Sequence, residues 1–224
     1  MSPYVSIAID GPAASGKSTV GLELSRHLGF LFLDTGVMYR AVTWAALQNK
    51  IDINDETEIS ELASRVVIKI DQPSLDDGRT NDIQVDGLDI TKKITEKKVN
   101  DNVSQVSKYK EVRSSLTEQQ QKIALNGNIV MVGRDIGTVV LPDADYKFFL
   151  EASPQERAKR RFLEEIKKGT NPNFEEIESN IIERDRIDTT RCLAPLKPAK
   201  DALIINTDNK TIDQVVEEIL SKIK

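Results

Sequence analysis

The chain has 224 residues, of which 39% are hydrophobic, 30% charged and 5% aromatic, and its net charge is −5. The length predicts one domain with an elaboration. The single cysteine, Cys192, excludes an intrachain disulfide, and the acidic balance argues against a general nucleic-acid binder. No apolar run approaches the ~20 residues that span a bilayer. A secretory signal requires a positive charge before its apolar stretch, and MSPYVSIAIDG has none there. We therefore expect a monomeric, cytoplasmic globular protein that binds neither nucleic acid nor membrane.

The first fifty residues alternate between strand and helix patterns. An apolar run over 4–10 ends at Gly11-Pro12 and predicts a buried strand. Helical spacing follows over 20–28, a second apolar run covers 30–33, and a second helix is predicted over 39–47. Continuous apolar strands alternating with helices indicate a parallel sheet that helices cover on both faces.

The alternation stops between residues 66 and 91. This segment contains VVIKI and DIQVDGLDI, and its Asp86-Gly87 pair favours a tight hairpin turn. We interpret it as a small antiparallel insert. Helices are predicted next over 95–106 and 109–125, the second ending at Asn126-Gly127 in a left-handed cap.

The α/β pattern resumes in the last hundred residues. Pro154 suits a first helical turn and Thr211 suits an N-cap. We predict helices at about 154–168, 174–187 and 211–223. The predicted fold class is α/β with a five-stranded parallel sheet, whose strands are 4–10, 30–33, 129–132, 147–150 and 202–205.

The strongest motif is G-x-x-x-x-G-K-[ST], which follows the first strand and opens the first helix. Glycines let the backbone wrap so that its N–H groups face phosphate oxygens, and the helix N-terminus adds a positive dipole. Lys17 reaches the β- and γ-phosphates, and the Ser18 hydroxyl is a Mg²⁺ ligand. The motif predicts a nucleotide-phosphate site formed by Gly11, Pro12, Ala13, Ala14, Ser15, Gly16, Lys17 and Ser18.

Arginines concentrate late in the chain. Six of the twelve lie within 35 residues: Arg157, Arg160, Arg161, Arg184, Arg186 and Arg191. The segment 155–191 also carries nine acidic side chains against nine basic ones, which is compatible with charged helix faces alone. Arginine nevertheless replaces lysine at six of the nine basic positions, and its planar fork binds phosphate bidentately. The cluster therefore favours arginines that act on a transferring phosphoryl group.

Three further spots follow predicted strands or helices, where open α/β sheets place ligands. They are Asp34-Thr35-Gly36 with Arg40, Gly133-Arg134-Asp135, and Asp188 with Arg191. Each one alone is compatible with a turn or a cap. Together they predict arginines and carboxylates around one crevice.

Five segments, in this order, resemble bacterial cytidylate kinases: GPAASGKST, LDTGVMYR, NVSQVSKYKEVR, GRDIGTVV and ERDRIDTTRCLAPL. The resemblance runs from about Ile7 to the C-terminus. It implies a P-loop kinase that phosphorylates CMP and dCMP with ATP and Mg²⁺. It also implies a core of 1–65 and 108–224, a monophosphate-binding insert at 66–107 and a helical lid at 155–191.

The resemblance also implies residue roles. ATP would be bound by residues 11–19, through Thr19, with Ser18 at the metal. The CMP phosphate would contact Thr35, Arg40 and Arg134, the cytosine Ser104, Arg113 and Asp135, and the sugar Arg184 and Asp188. Lys17, Arg157, Arg161 and Arg191 would act on the transferring phosphoryl group. Thr35 stands where the family often has serine, and Val132 stands where an acidic residue often precedes the glycine.

The motif is also compatible with three other functions. A P-loop kinase for another monophosphate or small acceptor is the same-class alternative. A GTPase switch would place N-K-x-D after a strand, whereas this chain has Asn206-Thr207-Asp208-Asn209 there, without the lysine. A non-catalytic ATP-binding module is a third reading, which CMP-dependent release of ADP would exclude.

Overall fold

The computed structural model describes residues 4–167 and 169–223. Within them lie eight strands: β1 (Ser6–Asp10), β2 (Leu31–Asp34), β3 (Ile68–Asp71), β4 (Asp82–Val85), β5 (Leu88–Asp89), β6 (Ile129–Gly133), β7 (Tyr146–Glu151) and β8 (Leu203–Asn206). The α-helices are α1 (Lys17–Leu28), α2 (Gly36–Gln48), α3 (Glu56–Arg65), α4 (Lys97–Val106), α5 (Lys110–Ala124), α6 (Pro154–Lys167), α7 (Phe174–Thr190) and α8 (Ile212–Leu220).

The central sheet has five strands in the order β2-β6-β1-β7-β8. β1 pairs in parallel with β7, with Ile7 opposite Tyr146, and β7 pairs in parallel with β8. Every residue of β6 is buried, as expected for a parallel strand covered on both faces. The predicted α/β class and all five predicted core strands are confirmed.

The segment between α3 and α4 forms the predicted antiparallel insert, a three-stranded sheet in the order β3-β4-β5. Asp86 and Gly87 have φ angles of 50° and 82°, which is the left-handed backbone of a two-residue hairpin turn. The Asp86 carboxylate also accepts a 3.0 Å hydrogen bond from the Val67 N–H. Local turn chemistry therefore determined this hairpin, as predicted.

The chain divides into two compact units. The insert unit comprises Phe30–Ile129 and contains the three-stranded sheet. The loop unit comprises Val5–Gly29 and the chain from Val130 onward, and it contains the glycine-rich loop and helices α6 to α8.

Helix α3 was not predicted from the sequence. Its N-cap is Asp55, whose carboxylate accepts a 3.0 Å hydrogen bond from the Glu58 N–H. Its buried apolar positions are Ile59 and, about one turn later, Leu62 and Ala63. The Asp-x-x-Glu spacing was the available signal.

The left-handed cap predicted at Asn126-Gly127 is wrong. α5 ends at Ala124, and its C-cap is Leu125 with a right-handed φ of −80°. Neither residue of the pair has a positive φ.

The π-helix Ile136–Val140 was also not predicted from the sequence, and it directly follows Gly133-Arg134-Asp135.

Two predicted helix starts are confirmed. α6 begins at Pro154. Before α8, the Thr211 hydroxyl accepts from the Gln214 N–H, and the Gln214 side chain accepts from the Thr211 N–H, which completes a capping box. Among the described residues, no helix is both long enough and apolar enough to cross a membrane.

Candidate active site

The glycine-rich loop connects β1 to α1, as the motif predicted. A Cβ at Gly11 would lie 2.4 Å from the Leu150 carbonyl oxygen, so only glycine fits beside β7. Gly16 and Ala14 have φ angles of 89° and 58°. This left-handed backbone winds the loop around the start of α1.

Cationic side chains bind the carbonyl oxygens of the loop. Lys17 Nζ donates to the Pro12 oxygen at 2.9 Å, and Arg157 Nη1 donates to the Ala13 oxygen at 3.2 Å. Lys17 and Arg157 are both buried, with 7% and 2% of their surfaces exposed. These two charge-assisted hydrogen bonds therefore stabilise the conformation of the loop.

Asp10, the last residue of β1, is a feature that the sequence analysis missed. Its side chain is 3% exposed, and its two carboxylate oxygens accept 2.8 Å hydrogen bonds from the Ile136 and Gly137 N–H groups. Burial raises the pKa of Asp10 to about 6, and the negative charge of Asp135 acts in the same direction. The two backbone hydrogen bonds and Lys17 oppose that rise. Its place directly before Gly11 was the only signal in the sequence.

Four predicted site residues of the loop unit meet in one cluster. Arg134 Nε donates to Asp188 Oδ2 at 2.8 Å. Arg191 lies beside the same carboxylate, with its Nη1 at 3.7 Å from Asp188 Oδ1, and its Nη2 is 3.9 Å from Asp135 Oδ1. We call these four residues the Arg-Asp cluster. Two arginines share two half-buried or buried carboxylates there, so their guanidinium groups are oriented before any ligand arrives.

Three other arginines of the loop unit, to which the family resemblance assigns roles, differ in exposure. Arg157 forms a two-pronged ion pair with Asp185 of α7, with Nη1 at 3.0 Å from Oδ1, and its Nε donates to the Ala152 oxygen. Arg161 is exposed and pairs with Glu165 at 2.9 Å. Arg184 is exposed on α7, four residues before Asp188, so the two share a helix face. Arg157 thus contacts the loop backbone, and its predicted closure over phosphate stays a prediction.

In the insert unit, the start of α2 carries the two predicted site residues Thr35 and Arg40. Thr35 is its buried N-cap, and the neighbouring Asp34 accepts a 3.0 Å hydrogen bond from the Gly36 N–H. Arg40, one turn into α2, donates to the Asn100 side chain of α4 and to the Ile94 oxygen at 3.4 Å. These contacts fix where the Arg40 guanidinium lies.

Arg113 and Ser104, two further predicted residues of the insert unit, differ in their surroundings. The Arg113 guanidinium lies 5.7 Å from the ring centroid of Tyr39 and donates to the Ser107 oxygen at 3.3 Å. Because Tyr39 precedes Arg40 on α2, this cation–π contact joins α5 to the helix start that carries Arg40. Ser104 is exposed on α4. The sequence analysis predicted no site role for Tyr39, and its place in the segment LDTGVMYR was the only available signal.

Among the residues that the structure describes, no three or more His, Cys, Asp or Glu side chains are grouped so that they could hold a metal ion. Mg²⁺ is usually bound through substrate phosphates with one or two protein oxygens. Ser18, exposed in the first turn of α1, supplies such an oxygen directly beside Lys17. The donor set therefore fits a metal ion that arrives with a nucleotide.

Comparison with known proteins adds the family. A cytidylate kinase from Shouchella clausii is 46% identical over 224 residues, covering 100% of this chain and 98% of that protein. One from Alkaliphilus oremlandii is 47% identical over 221 residues, covering 99% and 98%. A solved structure of an uncharacterized protein from Eubacterium ventriosum aligns with a TM-score of 0.53 over 98% of both chains at 12% identity, which shows a shared fold alone. The cytidylate kinase family profile matches residues 7–224, and the chain belongs to the cytidylate kinase family.

Proposed function

We propose that this kinase transfers the γ-phosphoryl group of ATP to CMP and dCMP. The observation that carries the proposal is the Arg-Asp cluster, which lies in the same compact unit as the phosphate-binding loop. Phosphoryl transfer requires oriented cations around the equatorial oxygens. The family membership over residues 7–224 supports the choice of acceptor.

ATP is proposed to bind through residues 11–19. The N–H groups of the wound loop and the N-terminus of α1 supply donors and a positive dipole for the phosphates. Lys17, whose ammonium already lies 2.9 Å from the Pro12 oxygen at the base of the loop, compensates charge on the β- and γ-phosphates.

Mg²⁺ is proposed to bind with ATP through the Ser18 hydroxyl. The ion supplies neutralisation of phosphate charge when it is bound. The protein contributes the placement of Ser18 on α1, which a wound loop and a buried Lys17 hold in position.

The acceptor needs no general base. A monophosphate oxygen is already ionised near pH 7, so positioning and charge neutralisation suffice. This agrees with a chain that has only one histidine, His27, which is exposed near the end of α1. The proposed contacts are Thr35, Arg40 and Arg134 for the phosphate, Ser104, Arg113 and Asp135 for the base, and Arg184 and Asp188 for the sugar.

Helices α6 and α7 are proposed to act as the lid. They carry Arg157, Arg161 and, directly after α7, Arg191. Closing arginines over the transferring group excludes water and so prevents wasteful hydrolysis of ATP. A monomeric state and a cytoplasmic location stay predictions from the sequence.

The test is a coupled assay of ADP release with ATP, Mg²⁺ and each of CMP, dCMP, UMP and AMP. We expect CMP to exceed UMP by at least roughly tenfold in kcat/KM, a difference of ~1.4 kcal/mol. Equal turnover of all four acceptors, or a clear preference for AMP, would overturn the assignment of cytosine. ADP release that ignores the acceptor would indicate an ATPase instead.

A further inference from the structure

We propose that Arg160 and Thr207 are positioning residues for ATP binding, because together they hold the Ser15–Gly16 peptide in one orientation. The proposal rests on the proposed function only in taking the loop as the ATP-phosphate site. Neither residue belongs to the glycine-rich motif, and all the contacts below lie within the loop unit.

The Ser15 carbonyl oxygen receives two donors. Arg160 Nη1, from α6, lies 3.3 Å from it, and Thr207 Oγ1, directly after β8, lies 3.3 Å from it. Arg160 Nη1 also donates to Thr207 Oγ1 at 3.0 Å, and Arg160 Nη2 donates to the Thr207 carbonyl. The guanidinium fork therefore binds the Thr207 residue and the loop at the same time.

The Thr207 hydroxyl has one hydrogen, which it can give to the Ser15 or the Glu151 oxygen. The Glu151 oxygen already accepts a 2.8 Å hydrogen bond from the Thr207 N–H. Thr207 is 2% exposed, so water does not compete for the hydroxyl. The hydroxyl lies 3.3 Å from the Ser15 oxygen and 3.1 Å from the Glu151 oxygen, and because Arg160 Nη1 donates to the same hydroxyl, Thr207 is linked to the loop whichever oxygen receives its hydrogen.

This arrangement determines the direction of the Gly16 N–H group. No peptide bond among the described residues is cis, and in a trans peptide the N–H points opposite to the carbonyl. Because the Ser15 carbonyl faces Arg160 and Thr207, the Gly16 N–H points away from them. We assign that side to the phosphate of ATP.

A glycine makes this anchoring necessary. Gly16 has a φ of 89°, and without a Cβ its backbone rotates between regions at little cost. A loop of this kind can lose its N–H orientation by rotation of one peptide unit. Two donors on the Ser15 oxygen oppose that rotation and so keep the amide preorganised for an anion.

The test compares Arg160→Gln, Thr207→Val and Thr207→Ser with the wild-type chain. Titration calorimetry with ATP and Mg²⁺ measures binding directly, and steady-state kinetics gives KM for ATP and for CMP separately. We expect Arg160→Gln to weaken ATP binding about tenfold and Thr207→Val about threefold, in line with the loss of one charged or one neutral hydrogen bond. KM for CMP should change less than about twofold, and Thr207→Ser should bind ATP as the wild type does.

Arg26→Gln is the matched control, since Arg26 is an exposed arginine in the last turn of α1 that lies 3.4 Å from Glu23. Its ATP affinity should equal that of the wild type. The ¹⁵N–¹H resonance of Gly16 gives a second readout, and its shift on ADP addition should shrink in Arg160→Gln and Thr207→Val. Unchanged ATP affinity in both variants overturns the proposal. Equal weakening for ATP and CMP, with a matching fall in Tm, also overturns it in favour of a merely structural role. Wild-type ATP binding without transfer to CMP would contradict the proposed function and leave this test intact.

Discussion

Asp10 in the loop unit and Asp77 in the insert unit are both hydrogen-bonded carboxylates, yet their pKa values move in opposite directions. Burial raises the pKa of Asp10 to about 6. The Arg79 side chain, followed by Lys92, lowers the pKa of Asp77 below its ordinary range. Asp10 receives backbone N–H groups and is 3% exposed, whereas Asp77 has a guanidinium 2.8 Å away and stays partly in contact with solvent.

The cations of the two units differ in the same way. In the loop unit, Lys17 and Arg157 are buried and donate to loop carbonyls. In the insert unit, Arg79 donates to Asp77 at 2.8 Å and to Asp82 at 2.7 Å. Lys17 and Arg157 thus orient the backbone of the glycine-rich loop, whereas Arg79 holds the connection between β3 and β4. Substitutions of Lys17 or Arg157 should change activity, and substitutions of Arg79 should change local stability.

The largest effect is expected from Lys17→Ala. With its ammonium proposed to compensate phosphate charge in the transition state, its loss should remove several kcal/mol, on the order of a hundredfold or more in kcat. Circular dichroism and Tm check that the fold persists. A variant that retained more than about a tenth of wild-type kcat, equal to ~1.4 kcal/mol, would contradict the role of Lys17.

Asp10→Asn tests the buried carboxylate through pH. Between pH ~4 and ~6 the folded state keeps the Asp10 proton that the unfolded chain has lost, so stability falls as pH rises through this window. Asp135 and Lys17 are the charged groups that act on it. The wild-type stability relative to Asp10→Asn should therefore increase by about 2 kcal/mol from pH 7 to pH 4 in urea unfolding.

The control for that measurement is Asp77→Asn, where the sign is reversed. The lowered pKa of Asp77 contributes stability above pH ~4 that is lost as the pH falls further. A pH-independent difference between the wild type and Asp10→Asn would show that Asp10 is not protonated in the folded state, and the contrast between the two units would disappear.

Asp135→Ala asks whether a carboxylate of the Arg-Asp cluster recognises the base. Cytosine presents an amino donor to it, whereas uracil presents an acceptor. We expect kcat/KM to fall at least roughly tenfold for CMP and much less for UMP. Side-by-side assays with both acceptors measure this. A uniform fall would place Asp135 at the metal or the phosphate, consistent with its position 3.9 Å from Arg191.

The smallest effect on catalysis is expected from Arg79→Gln in the insert. We expect kcat within about twofold of the wild type, because no transition-state charge is involved. Acid unfolding should begin at a higher pH, since Asp77 loses the guanidinium that mainly keeps its pKa low. Asp82, whose pKa is lowered first by the Ser74 hydrogen bond, loses the second contribution, that of Arg79. A large loss of kcat would erase the distinction between the two units.

Local patterns explain why most of the fold was predictable. The β6 run is apolar at every position, and the Asp86-Gly87 pair adopts the backbone that its residues favour. The capping box of Thr211 and Gln214 spans only four residues. The left-handed cap at Asn126-Gly127 failed because α5 ends at Ala124, where the Leu125 and Asn126 N–H groups donate to the Gln121 and Ile123 carbonyls in right-handed turns. α3 was missed although its Asp55 cap and the spacing of its buried apolar residues are local signals.

The amino-acid sequence was sufficient to predict the glycine-rich loop, the order of strands and helices along the chain, and the arginines and carboxylates from which we propose that a site is built. It was sufficient because glycine spacing, apolar periodicity and caps act over a few residues. The partners of these side chains follow from the tertiary structure instead: Arg157 donates to the Ala13 oxygen across 144 residues of sequence, and Asp10 accepts from the Ile136 N–H across 126. Such pairings depend on how the strands are ordered and on which charges lose their water, and neither is written in any local run of residues.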